Sequence, residues 1–324
     1  MPSSAEWQIA PSQRPKAKDY SFDLERALGA MVSLHAIVPA DAMTAEVLGT
    51  ERGGNGVFIR DGIVLTIGYL VTEAETIWMT LNDGRVVPGH TLAFDNETGF
   101  GLVQALARVD VPTLELGRSA DAELGERVVV AGAGGVQRSV AARIAGKQEF
   151  AGYWEYVLDE ALFTAPAHPN WGGTALIDHN GYLIGIGSLQ LEQSREKGKS
   201  EHLNMMVPTD LLKPILDDLI RRGAANRPVR PWLGIYTTEI DDKLVIAGVA
   251  GKGPAKAADV QPGDVVVAVA GTRVSELAEF YRSIWALGAA GVEVPLTVWR
   301  EGEMLELRVR STDRTSLFKT PRLH

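Results

Sequence analysis

The 324-residue chain contains no cysteine, which removes disulfide bridges, thiolate zinc sites and cysteine nucleophiles together. That absence does not fix a compartment, because domains of ordinary size need no such staples. Positive charge is also short: 32 Lys+Arg stand against 41 Asp+Glu, for a formal net charge of -9. No basic run is interleaved with aromatics, so the surface offers little to a polyphosphate backbone, and nucleic acid is not an expected partner. Long apolar runs are missing too. The opening MPSSAEWQIAPSQRPKA is broken by prolines and has no apolar centre, so it does not read as a secretory signal peptide. The uncharged stretch 27–40 is shorter than the ~20 residues a membrane span requires. These features predict a soluble chain without a membrane span, cytoplasmic in location, with the periplasm as the alternative if a leader has been removed.

What is present is a balance of 45% apolar and 23% charged residues, enough for about two domains at roughly 150 residues each. From about residue 45 to 187, short β-rich runs alternate with turn signals. Examples are Ile63-Val64-Leu65-Thr66, Thr76-Ile77-Trp78-Met79-Thr80-Leu81 and Arg127-Val128-Val129-Val130-Ala131. Asp61-Gly62, Asn82-Asp83-Gly84 and Asn180-Gly181 separate them, the last predicting a type I′ hairpin turn. Leu211, Leu212, Ile215, Leu216, Leu219 and Ile220 then recur at helical spacing until Gly223. The proline-containing AANRPVRP reads as a stiff linker. Beyond it, strands at 264–269 and 294–299 flank an amphipathic helix predicted over 275–287. The expected division is an N-terminal extension (1–23), a first domain (24–222), a linker (223–230), a second domain (231–311) and a polar, mobile tail (312–324).

Two further motifs read as ordinary structure. Gly132-Ala133-Gly134-Gly135 lacks the G-x-G-x-x-G spacing of a dinucleotide loop and is expected to be a turn. The mixed-charge stretch 192–201 (EQSREKGKSE) is expected to be a solvated loop, with a regulatory loop as the alternative. No cofactor and no metal site are expected.

Gly54-Asn55-Gly56-Val57, Val64-Leu65-Thr66, Asn82-Asp83-Gly84-Arg85, Leu116-Gly117-Arg118-Ser119 and Asn170-Trp171-Gly172-Gly173, in this order, resemble the trypsin-like protease domain of the HtrA family over about residues 24–222. Trp232-Leu233-Gly234-Ile235, Gly253-Pro254-Ala255 and Val260-Gln261-Pro262-Gly263-Asp264-Val265 look like a bacterial PDZ domain in the HtrA arrangement. The resemblance implies a mainly β fold, a pair of six-stranded barrels with an active site between them, followed by an α+β PDZ domain. It implies a role in bacterial protein quality control, and trimers as the oligomer.

Serine-protease hydrolysis needs a hydroxyl nucleophile, an imidazole base, a carboxylate that orients it, and backbone donors for the oxyanion. Carried onto this sequence, the family's histidine position is Tyr69, its aspartate position Gly99 and its serine position Trp171. The glycine two residues before the serine, an oxyanion donor, is Pro169, which has no N–H. A phenol with an unperturbed pKa of ~10 is a poor proton acceptor at neutral pH. Asp95 and Glu97 are shifted from the carboxylate position and are expected on a solvated turn. None of the six histidines stands at the base position. His168 lies beside the altered nucleophile string and is expected to be a loop residue, because no acid or second histidine stands at metal-motif spacing.

The expectation is a pseudoprotease that binds peptide or protein C-termini as a scaffold or regulator. The alternatives are an active endopeptidase using displaced residues, and a structural subunit of an oligomer with an active relative. In the PDZ resemblance, Trp232, Leu233, Gly234 and Ile235 form the carboxylate-binding loop, and the 275–287 helix forms the opposite wall. Spacing alone leaves open which of Phe280 and Tyr281 faces the peptide.

Overall fold

Alternation of burial along the β-rich runs builds the barrels. Thr76–Leu81 alternates exposed and buried residues, and Met31–Ile37 does so from its second residue on. In the computed structural model, which describes residues 9–195 and 199–319, the chain divides into two compact units. Among the described residues the first comprises 9–148, 160–195, 199–226 and Lys319; the second comprises Glu149–Asp159 and Arg227–Phe318.

The first unit holds twelve strands: β1 (Met31–Ile37), β2 (Glu51–Arg60), β3 (Ile63–Ile67), β4 (Thr76–Leu81), β5 (Val86–Phe94), β6 (Phe100–Ala105), β7 (Arg127–Ala131), β8 (Ser139–Gly152), β9 (Tyr156–Ala165), β10 (Ala175–Ile177), β11 (Leu183–Arg195) and β12 (Lys199–Pro208). Only the far ends of β8 and β9 fall in the second unit. The strands close into two barrels, ordered β1-β2-β3-β6-β5-β4 and β7-β8-β9-β12-β11-β10. The same topology therefore occurs twice. Closure leaves neither sheet with a free edge. Phe58, Val64, Met79 and Val103, which the strand registers place on one face, fill the first barrel, and Val128, Val130, Leu176 and Met206 the second.

Four local expectations are corrected. At Asn180-Gly181 only Gly181 takes a positive φ, of 92°. The Asp178 carboxylate instead accepts from the amides of Asn180 and Tyr182, both at 2.9 Å, and this side-chain turn displaces the type I′ geometry. Residues 192–195 and 199–201 are paired strand, with Glu192 opposite His202 and Arg195 opposite Lys199, rather than loop; residues 196–198 lie outside the described residues. The helix predicted from Leu211 is split into a 3-10 turn (Thr209–Leu211) and an α-helix (Leu216–Arg222), because Pro214 between them has no amide to donate. The polar tail is structured as far as Lys319. Thr312 pairs with Trp232 in both directions, at 3.0 and 3.1 Å, and Arg314–Leu317 is a 3-10 turn capped by Asp313.

The second unit is a sheet of β13 (Ile235–Ile240), β14 (Lys243–Val249), β15 (Val265–Val269), β17 (Glu293–Arg300) and β18 (Glu303–Arg310), in that order, with β16 (Thr272–Arg273) paired to β15. The helix Leu277–Trp285 packs Phe280, Tyr281 and Ile284 against Leu233, Val266, Leu296 and Val298. Its start is fixed by the Glu239 carboxylate, which accepts from the Leu277 amide at 2.6 Å. Among the described residues no helix is long and apolar enough to cross a membrane.

Candidate functional site

Tyr69 lies in the 3-10 turn Gly68–Leu70 that ends β3. The turn rests on β6 because the Gly68 amide donates to the Gly99 carbonyl at 2.7 Å. A Cβ on Gly68 would come within 3.1 Å of that oxygen. The buried Arg52 guanidinium holds the turn from below, donating to the carbonyls of Tyr69 at 2.8 Å and Thr72 at 2.9 Å. Gly99 therefore meets the Tyr69 turn through backbone alone, at a φ of 83°. Asp95 turns its carboxylate to the amide and hydroxyl of Thr98, at 2.9 and 2.7 Å, and braces the β5–β6 turn.

The Tyr69 hydroxyl donates to the Ser188 carbonyl at 2.9 Å. Burial holds the phenol above its ordinary pKa, and a hydrogen bond from the Trp171 side chain pulls the other way. An indole can only donate, so the phenol oxygen is the acceptor in that bond. The two side chains thus meet, the phenol proton is engaged with a main-chain carbonyl, and the side chain at 171 carries no hydroxyl.

The string carrying Trp171 is wired to its surroundings through its carbonyls. Asn55 on β2 donates from Nδ2 to the carbonyls of Asn170 at 2.9 Å and Gly172 at 3.1 Å, while its Oδ1 accepts from the Ala133 amide at 2.9 Å. The Trp171 carbonyl accepts from Thr174 Oγ1 at 2.8 Å. Gly173, with a φ of 74°, fits where a Cβ would lie 1.8 Å from the Asn55 carbonyl oxygen. Pro169 is exposed.

His168 is fully buried. Its Nε2 meets the Arg138 carbonyl at 2.8 Å and must carry the proton, because a carbonyl only accepts; its Nδ1 accepts from the Asn170 amide at 3.1 Å. Asn204 Oδ1 accepts from the His168 amide at 2.6 Å. Burial pushes the imidazole down to about 4, so it is neutral near pH 7 and serves as a brace. Gly132 passes where a Cβ would be 2.9 Å from His168 Nε2, and Gly134 and Gly135 take positive φ in a turn. Among the described residues no three His, Asp or Glu side chains gather to hold a metal. A surface cavity of about 320 Å³, lined by Arg118, Asp121, Glu126, His179 and Tyr182, involves none of Tyr69, Gly99, His168, Pro169 and Trp171.

In the second unit the amides of Leu233, Gly234 and Ile235 converge. Gly234 makes this possible with a φ of 79°, where a Cβ would lie 2.9 Å from the Trp232 ring. Trp232 stands apart, its own amide pairing with Thr312. What the three amides bind is the Glu155 carboxylate. One oxygen accepts from Gly234 at 2.7 Å, Ile235 at 3.0 Å and Leu233 at 3.2 Å; the other accepts from Leu233 at 3.0 Å. Burial pushes this carboxyl up to about 7, while the amides and the positive charge of Arg314 pull it down. Phe280 and Tyr281 are both fully buried. Tyr281 is the one beside Glu155, whose charge adds to the effect of burial in raising the phenol.

Sequence reasoning missed Asn55, Arg52 and Glu155 as site residues. The available signal for Glu155 was an acid inside a dense aromatic run, Phe150, Tyr153, Trp154 and Tyr156.

Comparisons with known proteins bear on the fold and the domain order. The family model of the trypsin-like peptidase domain matches residues 54–186, and that of the PDZ domain matches residues 231–310. The "Probable periplasmic serine endoprotease DegP-like" of Halomonas elongata is 27% identical over 274 residues, covering 80% of this chain and 56% of the relative. The "Serine protease Do-like HtrA" of Lactobacillus helveticus is 24% identical over 271 residues, covering 77% and 65%. The chain thus spans between half and two thirds of the length of these relatives. Among solved structures, "HtrA-type protease AlgW with decapeptide" superposes with a TM-score of 0.54 at 21% identity, covering 92% of this chain and 98% of that one. The serine endoprotease from Yersinia pestis gives 0.52 at 22% identity, covering 90% and 96%. At these identities the structures support the fold.

Proposed function

We propose, from the premise that this chain is an HtrA/DegP-like trypsin-fold protein with a C-terminal PDZ domain, that it is a pseudoprotease. Its proteolytic site is silent and its PDZ domain binds the C-termini of peptides or proteins. The observation that carries the first half is the buried Tyr69 phenol, whose hydroxyl donates to the Ser188 carbonyl at 2.9 Å beside the Trp171 side chain. It stands where a hydroxyl and an imidazole would have to exchange a proton. A phenol raised by burial and already donating to a carbonyl is a poor base, and Pro169 supplies no N–H to a developing oxyanion. The second half is supported by the convergent amides of Leu233, Gly234 and Ile235, which suit a terminal carboxylate.

Exposure of the full chain to a fluorophosphonate probe and to a denatured protein substrate tests the first half. No labelling and no cleavage are expected. Labelling abolished by a single point substitution would establish a working nucleophile and overturn the reading.

A further inference from the structure

The amides of Leu233, Gly234 and Ile235 are not waiting for a carboxylate; they hold one. Glu155 lies at the tip of the segment Glu149–Asp159, which belongs to the second unit. Three features of that segment match what a bound peptide would present. Its carboxylate takes four amide hydrogen bonds at 2.7 to 3.2 Å. Its backbone pairs with β13, the Thr237 amide donating to the Tyr153 carbonyl at 2.9 Å, as in the first bond of an added strand. Its Val157 side chain joins the apolar cluster of Leu233, Ile235 and Tyr281.

The segment is held by more than the carboxylate. Arg282 on the helix Leu277–Trp285 bridges Glu149 at 2.6 Å and Asp159 at 2.5 Å. The Tyr153 ring meets Tyr236 of β13 edge-on at 6.1 Å. Glu155 itself has a left-handed φ of 62°. A non-glycine residue rarely adopts this conformation, which persists only where the surroundings enforce it.

We propose that the PDZ domain is self-occupied: the Glu155 side chain stands in for a ligand's terminal carboxylate, and a peptide with a free C-terminus binds only by displacing the Glu149–Asp159 tip. This deepens the peptide-binding reading and rests on it. A receptor whose competent state is a minor fraction binds with an affinity reduced by that fraction. Emptying the loop should therefore raise affinity without adding any contact to the ligand.

Two measurements on the full chain test this. The first is hydrogen exchange at the amides of residues 233–235, compared between the wild type, Glu155→Ala and the isosteric Glu155→Gln. Exchange should be slow in the wild type, faster in Glu155→Gln and fastest in Glu155→Ala. Unchanged protection in both variants would overturn the plug, whatever the protein binds. The second is fluorescence anisotropy with a pool of fluorescein-labelled decapeptides randomised over the last four positions, as free acids and as C-terminal amides. Glu155→Ala should bind the free-acid pool roughly ten- to a hundred-fold more tightly than the wild type, and should bind the amidated pool no better. Equal binding of the free-acid pool by wild type and variant would sink self-occupancy and leave peptide binding standing. Deprotected amides with no binding of either pool would sink peptide binding, and with it the claim that Glu155 competes with a ligand. Glu155→Gln keeps shape and volume, so it serves if Glu155→Ala misfolds.

Discussion

On the proposed reading, residues 169–171 and 233–235 are both places where backbone amides would receive an anion, and they are closed in different ways. At 169–171, the oxyanion position on that reading, Pro169 has no N–H, and the neighbouring carbonyls are tied to Asn55 and Thr174. At 233–235 the cradle is complete, with three convergent amides, and it is filled by Glu155. The first loss is written into covalent structure and no ligand can reverse it. The second is a competition between carboxylates that a ligand of sufficient affinity can win. On that reading, a single chain sets a deleted site beside an occupied one.

The sharpest way to break the comparison is to rebuild the first cradle. Tyr69→His, Gly99→Asp and Trp171→Ser together restore the side chains of the triad, yet should give little hydrolysis of a fluorogenic peptide. Adding Pro169→Gly should raise the rate by about 10² to 10³, the usual contribution of one oxyanion donor. Asp at 99 must also adopt the φ of 83° that Gly99 now takes, which Asp tolerates better than most residues. A fast triple variant retaining Pro169 would show that the missing amide is not the limiting loss.

Next in size is a pH effect confined to the dismantled cradle. His168 is neutral and buried, with a pKa of about 4 against an ordinary 6.5. The unfolded chain therefore binds a proton that the folded chain refuses. Stability is fully present above pH 6.5 and falls as pH drops toward 4, by about 2 kcal/mol at pH 5. Urea midpoints of the wild type and His168→Gln between pH 7.5 and 4.5 isolate this contribution. His168→Gln should be less stable at neutral pH, and its disadvantage should shrink on acidification. Parallel curves would mean that the imidazole titrates normally.

The unequal legibility of the two cradles has a physical origin. The register of the Trp171 string could be read because Gly173, at a φ of 74° and with a Cβ position 1.8 Å from the Asn55 carbonyl oxygen, stands where only glycine fits. Strand alternation likewise announced an all-β region, sandwich or barrel, and the resemblance implied the two barrels. Asn55 could not be read as a tether, since its carbonyl partners lie 115 and 117 residues away. Glu155 is 78 residues from Leu233 and looks, in sequence, like an exposed hairpin acid. Pairing at that distance is decided by tertiary structure, and no local pattern encodes it. The same cause explains the polar C-terminal segment, whose order depends on Trp232 pairing with Thr312.

The smallest effect probes what holds the second cradle shut apart from Glu155. Arg282 pairs with Glu149 and Asp159 across a surface where its own side chain is 44% exposed and that of Asp159 is 91% exposed. Pairs this open to water contribute only about 0 to 1 kcal/mol, and less as salt rises. Arg282→Ala should therefore loosen the Glu149–Asp159 tip slightly and raise the affinity for free-acid peptides by no more than about fivefold at low salt, with the gain vanishing near 1 M. The larger gain from Glu155→Ala should survive that salt, because its origin is a carboxylate hydrogen-bonded directly to three backbone amides. If Arg282→Ala matched Glu155→Ala in size, the tip would be held by surface charge, and the second cradle would be closed by its rim instead of its centre.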